Sequence, residues 1–137
     1  MSETLEAPQT VVKGTLVPYL AVDGAVTAGK FYEKAFGAVV ESVHPPDEQG
    51  RTMHVHVYVN GVSIMLSDFF PEQGHSKVAP AGFSLMLMVG EDIHARFQRA
   101  VDAGCTVLMP VDKQFWGDTY GQLKDPYGIT WAMNYPG

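Results

Sequence analysis

Cysteine is nearly missing from this sequence: Cys105 is the only one in 137 residues. That excludes an intrachain disulfide and fits a reducing, cytoplasmic setting. Positive charge is also scarce. Nine Lys and Arg face fifteen Asp and Glu, a net charge of −6 with a pI near 5.2. Nucleic acid and anionic membrane surfaces require a concentrated basic face, so neither is expected as a partner. No apolar run is long enough to span a bilayer, and the opening "MSETLEAPQT" lacks the apolar stretch of a secretory signal. A glycine-rich phosphate loop, a nucleophile elbow and a C-x-x-C pair are absent too. What remains is 46% hydrophobic and 18% charged, a globular composition. At this length one domain, 1–137, is expected.

Periodicity divides that domain into two similar halves. "GTLVPYLAV" alternates as a strand, and "GAVTAGKFYEKAFG" spaces Ala28, Phe31, Tyr32, Ala35 and Phe36 as one helical face ending at Gly37. "AVVESV", "TMHVHVYVNG" and "VSIMLSDFF" then read as strands, with Asn60-Gly61 as a two-residue hairpin turn. After the turn-rich "PEQGHSKVAPAG" the order returns. "FSLMLMV" is a strand, and "EDIHARFQRAVDAG" is a helix with Ile93, Phe97, Ala100 and Val101 on one face. "CTVLMPV", "TYGQLKD" and "ITWAMNY" complete the second half. Val22, Gly37 and Val62 recur as Val89, Gly104 and Ile129, each shifted by 67 positions. The spacing predicts an α+β fold of two βαβββ modules, 15–69 and 82–135, joined by a linker over 70–81.

Each module's helix must cover one face of its sheet, and strand parity sorts the side chains. Val55, Val57 and Val59, with Val62, Ile64 and Leu66, form the helix side of the first module. Opposite them lie His54, His56 and Tyr58, with Ser63, Met65 and Ser67. In the second module Phe83, Leu85, Leu87 and Val89 face the helix, as do Ile129, Trp131 and Met133. Ser84, Met86 and Met88, with Thr130, Ala132 and Asn134, face away. Uncovered faces made of Ser, Met, His and Tyr rather than Lys and Glu suit a pocket for a partly apolar ligand, or a core between modules. His54 and His56 stand about 6.6 Å apart at the backbone if extended, near enough to share an ion. A stable zinc site needs three or four ligands, and no carboxylate falls on these faces. Cys105 reads as a small buried filler, Asp125 as a turn former, and His75 and His94 as surface residues. The loop "HPPDEQGR", 44–51, reads as a mobile connection beside the pocket mouth.

Four stretches, "VPYLAVDG…FYEKAFGA", "MHVHVYVNGVSIMLSD", "VDAGCTVLMPVDKQFWGDTYGQLKDPYG" and "TW", carry a resemblance. Together they resemble the vicinal oxygen chelate superfamily of glyoxalases, bleomycin-resistance proteins and dioxygenases, and within it the PhnB-like branch. The resemblance implies a curled mixed sheet around a concave cavity, and a homodimer. The short first strand, whose edge would otherwise lie exposed, also favours a dimer. The superfamily takes a metal ligand from the first and last strand of each module. By position these fall on Val17, Met65, Ser84 and Ala132, of which only the serine can ligate, and weakly. "DPYGITW" also departs from the "DPFGHRW" of that branch at Ile129.

The sequence thus predicts a cytoplasmic protein that binds a small, planar organic compound without metal or cofactor. Its ligand-binding residues are expected to be Tyr19, His54, His56, Tyr58, Ser67, Ser84, Met86, Met88, Trp116 and Tyr120. The methionines would give adaptable apolar contact, the histidines and tyrosines orientation, and Trp116 an aromatic wall. The alternative is an isomerase, lyase or dioxygenase of the same superfamily, with a displaced metal site or a histidine general base. A third reading is a dimeric domain with no small-molecule role.

Overall fold

The computed structural model describes residues 11–137. Its first half runs β1 (Tyr19–Val22), α1 (Ala25–Phe36), β2 (Val39–Val43), β3 (Val55–Val59) and β4 (Val62–Asp68). The second half runs β5 (Leu85–Met88), α2 (Ile93–Ala103), β6 (Thr106–Lys113), β7 (Thr119–Lys124) and β8 (Thr130–Tyr135). Each half folds into a four-stranded mixed sheet, ordered β1-β4-β3-β2 and β5-β8-β7-β6, and the two sheets do not close on each other. This is the α+β architecture expected from the sequence.

The repeat persists in the strand pairing. β1 runs parallel to β4 with Tyr19, Leu20 and Ala21 beside Met65, Leu66 and Ser67. β5 runs parallel to β8 with Met86, Leu87 and Met88 beside Ala132, Met133 and Asn134, the same register displaced by the 67-residue repeat. Two expected strands are shorter than the alternation suggested. Residues 14–16 bend and 17–18 stay outside β1, where Gly14 takes a φ of 114° and Pro18 has no N–H for a ladder. β5 likewise begins only at Leu85.

Local chemistry explains the elements. Asn60 and Gly61 take φ values of 54° and 78°, which fits the mirror-image turn that closes β3 onto β4. Helix α1 ends at Gly37, whose N–H bonds back to the Glu33 carbonyl while Ala38 N–H reaches that of Tyr32. Its N-terminus has no cap of its own. Asp68, at the end of β4, supplies one: Oδ1 accepts from Gly24 N–H at 2.7 Å and Ala25 N–H at 3.1 Å, and Oδ2 from Thr52 N–H at 2.9 Å. One buried carboxylate therefore ties helix, sheet end and loop together. In the second half Gly121 lets α2 approach β7, since a Cβ there would lie 2.7 Å from Phe97 Cε1 and 2.9 Å from Val111 Cα.

The helix-covered faces of both halves share one core. Val55, Val57, Leu66 and Tyr32 join Leu123, Ile129, Trp131 and Met133 in a single apolar cluster. Trp131 is central, its ring centroid 5.3 Å from that of Tyr32 and 4.5 Å from that of Phe36. Arg99 on α2 completes the join, donating from Nε to the Lys34 carbonyl at 2.9 Å and from an Nη to the Glu33 carbonyl at 3.2 Å. The helix sides thus pack into one cluster, and the opposite face of each sheet is left outside it.

Candidate functional site

The expected site residues divide between the two halves. Tyr19, His56, Tyr58 and Ser67 lie on strands of the first sheet, with His54 just before β3, while Met86, Met88 and Tyr120 lie on strands of the second, with Ser84 just before β5 and Trp116 in the β6–β7 turn. Among the described residues no hydrogen bond or aromatic pair joins one group to the other. Parity placed the side chains on these faces, but a single chain does not bring the two sets together.

The first face is polar and internally wired. Register sets His56 beside Met65 and Tyr58 beside Ser63. His56 is fully buried, and its Nε2 lies 2.8 Å from Ser63 Oγ. Ser63 Oγ also accepts the Lys13 backbone N–H at 2.7 Å, and the Lys13 carbonyl accepts Ser63 N–H at 2.8 Å. Lys13 Nζ sits over the Tyr58 ring, 4.2 Å from its centroid, while the Tyr58 hydroxyl donates to the Val11 carbonyl. Residues 11–13 therefore run along this face as a strap. Beyond it, the Tyr19 hydroxyl donates to the Met53 carbonyl at 2.7 Å and lies 3.2 Å from His54 Nδ1. Burial, and then the neighbouring His54, hold His56 below its ordinary imidazole pKa, keeping it neutral near pH 7. His56 Nδ1 is buried without a hydrogen-bond partner.

The second face is apolar and open. Met86 is 53% exposed, Met88 48%, Trp116 49% and Phe115 97%. Phe115 and Trp116 pack edge to face with centroids 4.9 Å apart, and Trp116 leads on to Tyr120 at 6.0 Å. Gln122 donates to the Tyr120 hydroxyl at 2.9 Å, and Asn134 to Asp118 at 3.0 Å. Ala132 and Asn134 are buried although they point away from the helix. Between the halves, Val59, Ile64, Leu85, Met86, Met88 and Trp131 contribute to a cleft of about 390 Å³.

Four residues escaped the sequence reading of the site. Ser63 shares the His56 face, as strand parity gives, and its signal was a serine two strand positions before Met65. Val11 and Lys13 fall before the expected start of the first module. Phe115 stands beside Trp116 in "QFWGD" and was legible there as a second aromatic. The 44–51 loop is internally tied: Asp47 Oδ1 accepts from Gln49 and Arg51 N–H, each at 2.9 Å, and Arg51 pairs with Glu72 at 2.8 Å.

The superfamily's metal positions do not fit an ion. Met65 lies beside Tyr19 and Ala132 beside Met86, so the neighbouring strand offers a phenol and a thioether in place of the Val17 and Ser84 inferred by position. Among the described residues no three His, Cys, Asp or Glu side chains cluster to hold a metal ion.

The family model of the Glyoxalase/Bleomycin resistance protein/Dioxygenase superfamily matches residues 15–133. The chain belongs to this superfamily. An uncharacterized protein of Mycobacterium bovis is 37% identical over 130 residues, covering 91% of this chain and 85% of that one. Protein PA1353 of Pseudomonas aeruginosa superposes with a TM-score of 0.71 at 27% identity, covering 88% of this chain and 96% of that one. The PhnB protein of Bacillus cereus gives 0.68 at 21% identity, covering 89% and 99%, which supports the PhnB-like likeness at the level of fold. Among the described residues of this superfamily member, no helix is long and apolar enough to cross a membrane.

Proposed function

We propose that the protein binds a small, planar organic compound, without metal, between the polar face of one copy and the apolar face of a second. The observation that carries this reading is the contrast of the two outer faces. One half offers a buried histidine, and the other exposes Met86 and Met88 on β5 and Phe115 and Trp116 in the β6–β7 turn. Exposed apolar surface that extends over a sheet face favours a covering partner. Dimerisation would bring flexible thioethers and a flat indole over the imidazoles and hydroxyls of the first sheet. A pocket of mostly apolar walls with a few orienting polar groups is the usual form of a small-molecule site. The reduced, buried Cys105 suits work in the cytoplasm.

A thermal-shift screen of planar aromatic and heterocyclic compounds tests the proposal. A compound that stabilises the wild type should lose its effect in Trp116→Ala and in His54→Ala. Stabilisation that survives both changes would place the ligand elsewhere. Turnover that disappears with His54 would instead favour the enzymatic alternative.

A further inference from the structure

The hydrogen bonds around His54 and His56 determine which ring nitrogen carries each proton. Ser63 Oγ accepts the Lys13 N–H and has one hydrogen left to give; the nearest acceptor is His56 Nε2 at 2.8 Å. If Ser63 donates there, Nε2 holds a lone pair and the proton of the neutral ring sits on Nδ1. The reverse assignment strands two groups, the Ser63 hydrogen and the Nδ1 lone pair, where the first strands only one. Buried polar groups are satisfied as far as geometry allows, so the first arrangement holds. The same count applies at His54. The Tyr19 hydroxyl spends its hydrogen on the Met53 carbonyl, so it can only accept from His54 Nδ1–H. The neutral His54 ring therefore keeps its lone pair on Nε2.

From this we infer that the two imidazoles, with centroids 6.4 Å apart, form a donor–acceptor pair that reads a neutral lactam or cis-amide edge on the ligand. His56 Nδ1–H, buried and unpartnered, meets the amide oxygen. His54 Nε2 accepts the amide N–H. A carboxylate would face the His54 lone pair, and a cation the His56 N–H, so a neutral group is preferred to either. Tyr58 packs edge to face against His56, with centroids 4.9 Å apart, and its hydroxyl is tied to Val11. The inference rests on the first face being ligand-facing, as proposed above.

Its test has two arms. Nitrogen-15 NMR of imidazole-labelled protein near pH 7.5 should show both His54 and His56 protonated at Nδ1 and bare at Nε2, the less common tautomer of free histidine. Ser63→Ala should move the His56 proton to Nε2 while leaving His54 unchanged. Wild-type His56 or His54 with its proton on Nε2 would overturn the inference, whatever the protein binds. In the second arm, 2-pyridone should shift both ring signals, and N-methyl-2-pyridone, lacking the N–H, should bind about tenfold more weakly or worse. Equal binding of the two probes, stronger binding of benzoate, or no shift with 2-pyridone would overturn the lactam assignment. None of these results would touch the wider proposal of a small-molecule site, which the thermal-shift screen decides separately.

Discussion

Tyr32 on α1 donates its hydroxyl to Asp125 Oδ2 across 2.6 Å, joining residues 93 positions apart in the chain. Trp131 Nε1 donates to the same oxygen at 2.9 Å, and Oδ1 accepts from the Tyr127 and Ile129 N–H groups. The aspartate thus forms its turn, as its place before Pro-Tyr-Gly suggested, and also bonds one module to the other. Burial, and then the charge of Asp125, push the Tyr32 phenol well above its ordinary pKa. It stays a donor throughout the working pH range.

Removing that donor should loosen the join between modules. Tyr32→Phe leaves Asp125 with one fewer partner inside the core, at an expected cost of about 1–3 kcal/mol. Urea unfolding should show a lower midpoint with an unchanged slope. Wild-type stability in Tyr32→Phe would mean that the bond contributes nothing net.

Asp68 acts as the cap that α1 lacks in its own sequence. Asp68→Ala should cost about 1–2 kcal/mol, at the upper end for a lost helix cap because Thr52 N–H is orphaned as well. Hydrogen exchange should quicken at Gly24 and Ala25 before it does in β3. Uniform quickening across the domain would point to general destabilisation instead.

His56 links stability to pH. Its folded pKa lies below the ordinary 6.5, so the unfolded chain takes up this proton first as the pH falls. The contribution is intact above about pH 6.5 and is lost on acidification through the folded value. His56→Gln, which cannot titrate, should flatten the decline in unfolding free energy between about pH 7 and about pH 5. An identical pH profile in the variant would place the linkage at another histidine.

Burial, with the nearby Asp125 charge, pushes the Cys105 thiol up to about 12. The native protein should therefore resist iodoacetamide at neutral pH and react only on unfolding. Rapid modification of the folded chain would contradict its place in the core.

Much of this architecture is legible in the residues. Val55, Val57 and Val59 alternate against His56 and Tyr58, and the pleat leaves little freedom in which set faces the helix. Asn60-Gly61, Gly37 and Gly104 mark turns and helix stops by local chemistry alone. The bend at 14–16 is hidden because "GTLVPYLAV" keeps its alternation through residues that the bend and Pro18 take out of the ladder. The site was half legible. Parity assigned each side chain to a face, but which faces meet depends on how Trp131 and Phe36 pack across modules, and no periodicity encodes that. Lys13 is illegible for a related reason: its bonds to Ser63 are made by backbone groups, which look alike in any sequence, and its ammonium meets Tyr58 only once the strap is laid down.

Closure of the polar face of one copy on the apolar face of another requires a dimer in solution. Sedimentation velocity at micromolar concentration tests it most directly, comparing the wild type with a Met86→Glu, Met88→Glu double variant. The wild type should sediment at twice the 15.0 kDa chain mass, and the folded variant as a single chain. A wild type that runs as a 15.0 kDa monomer, or a variant that remains dimeric, would contradict it.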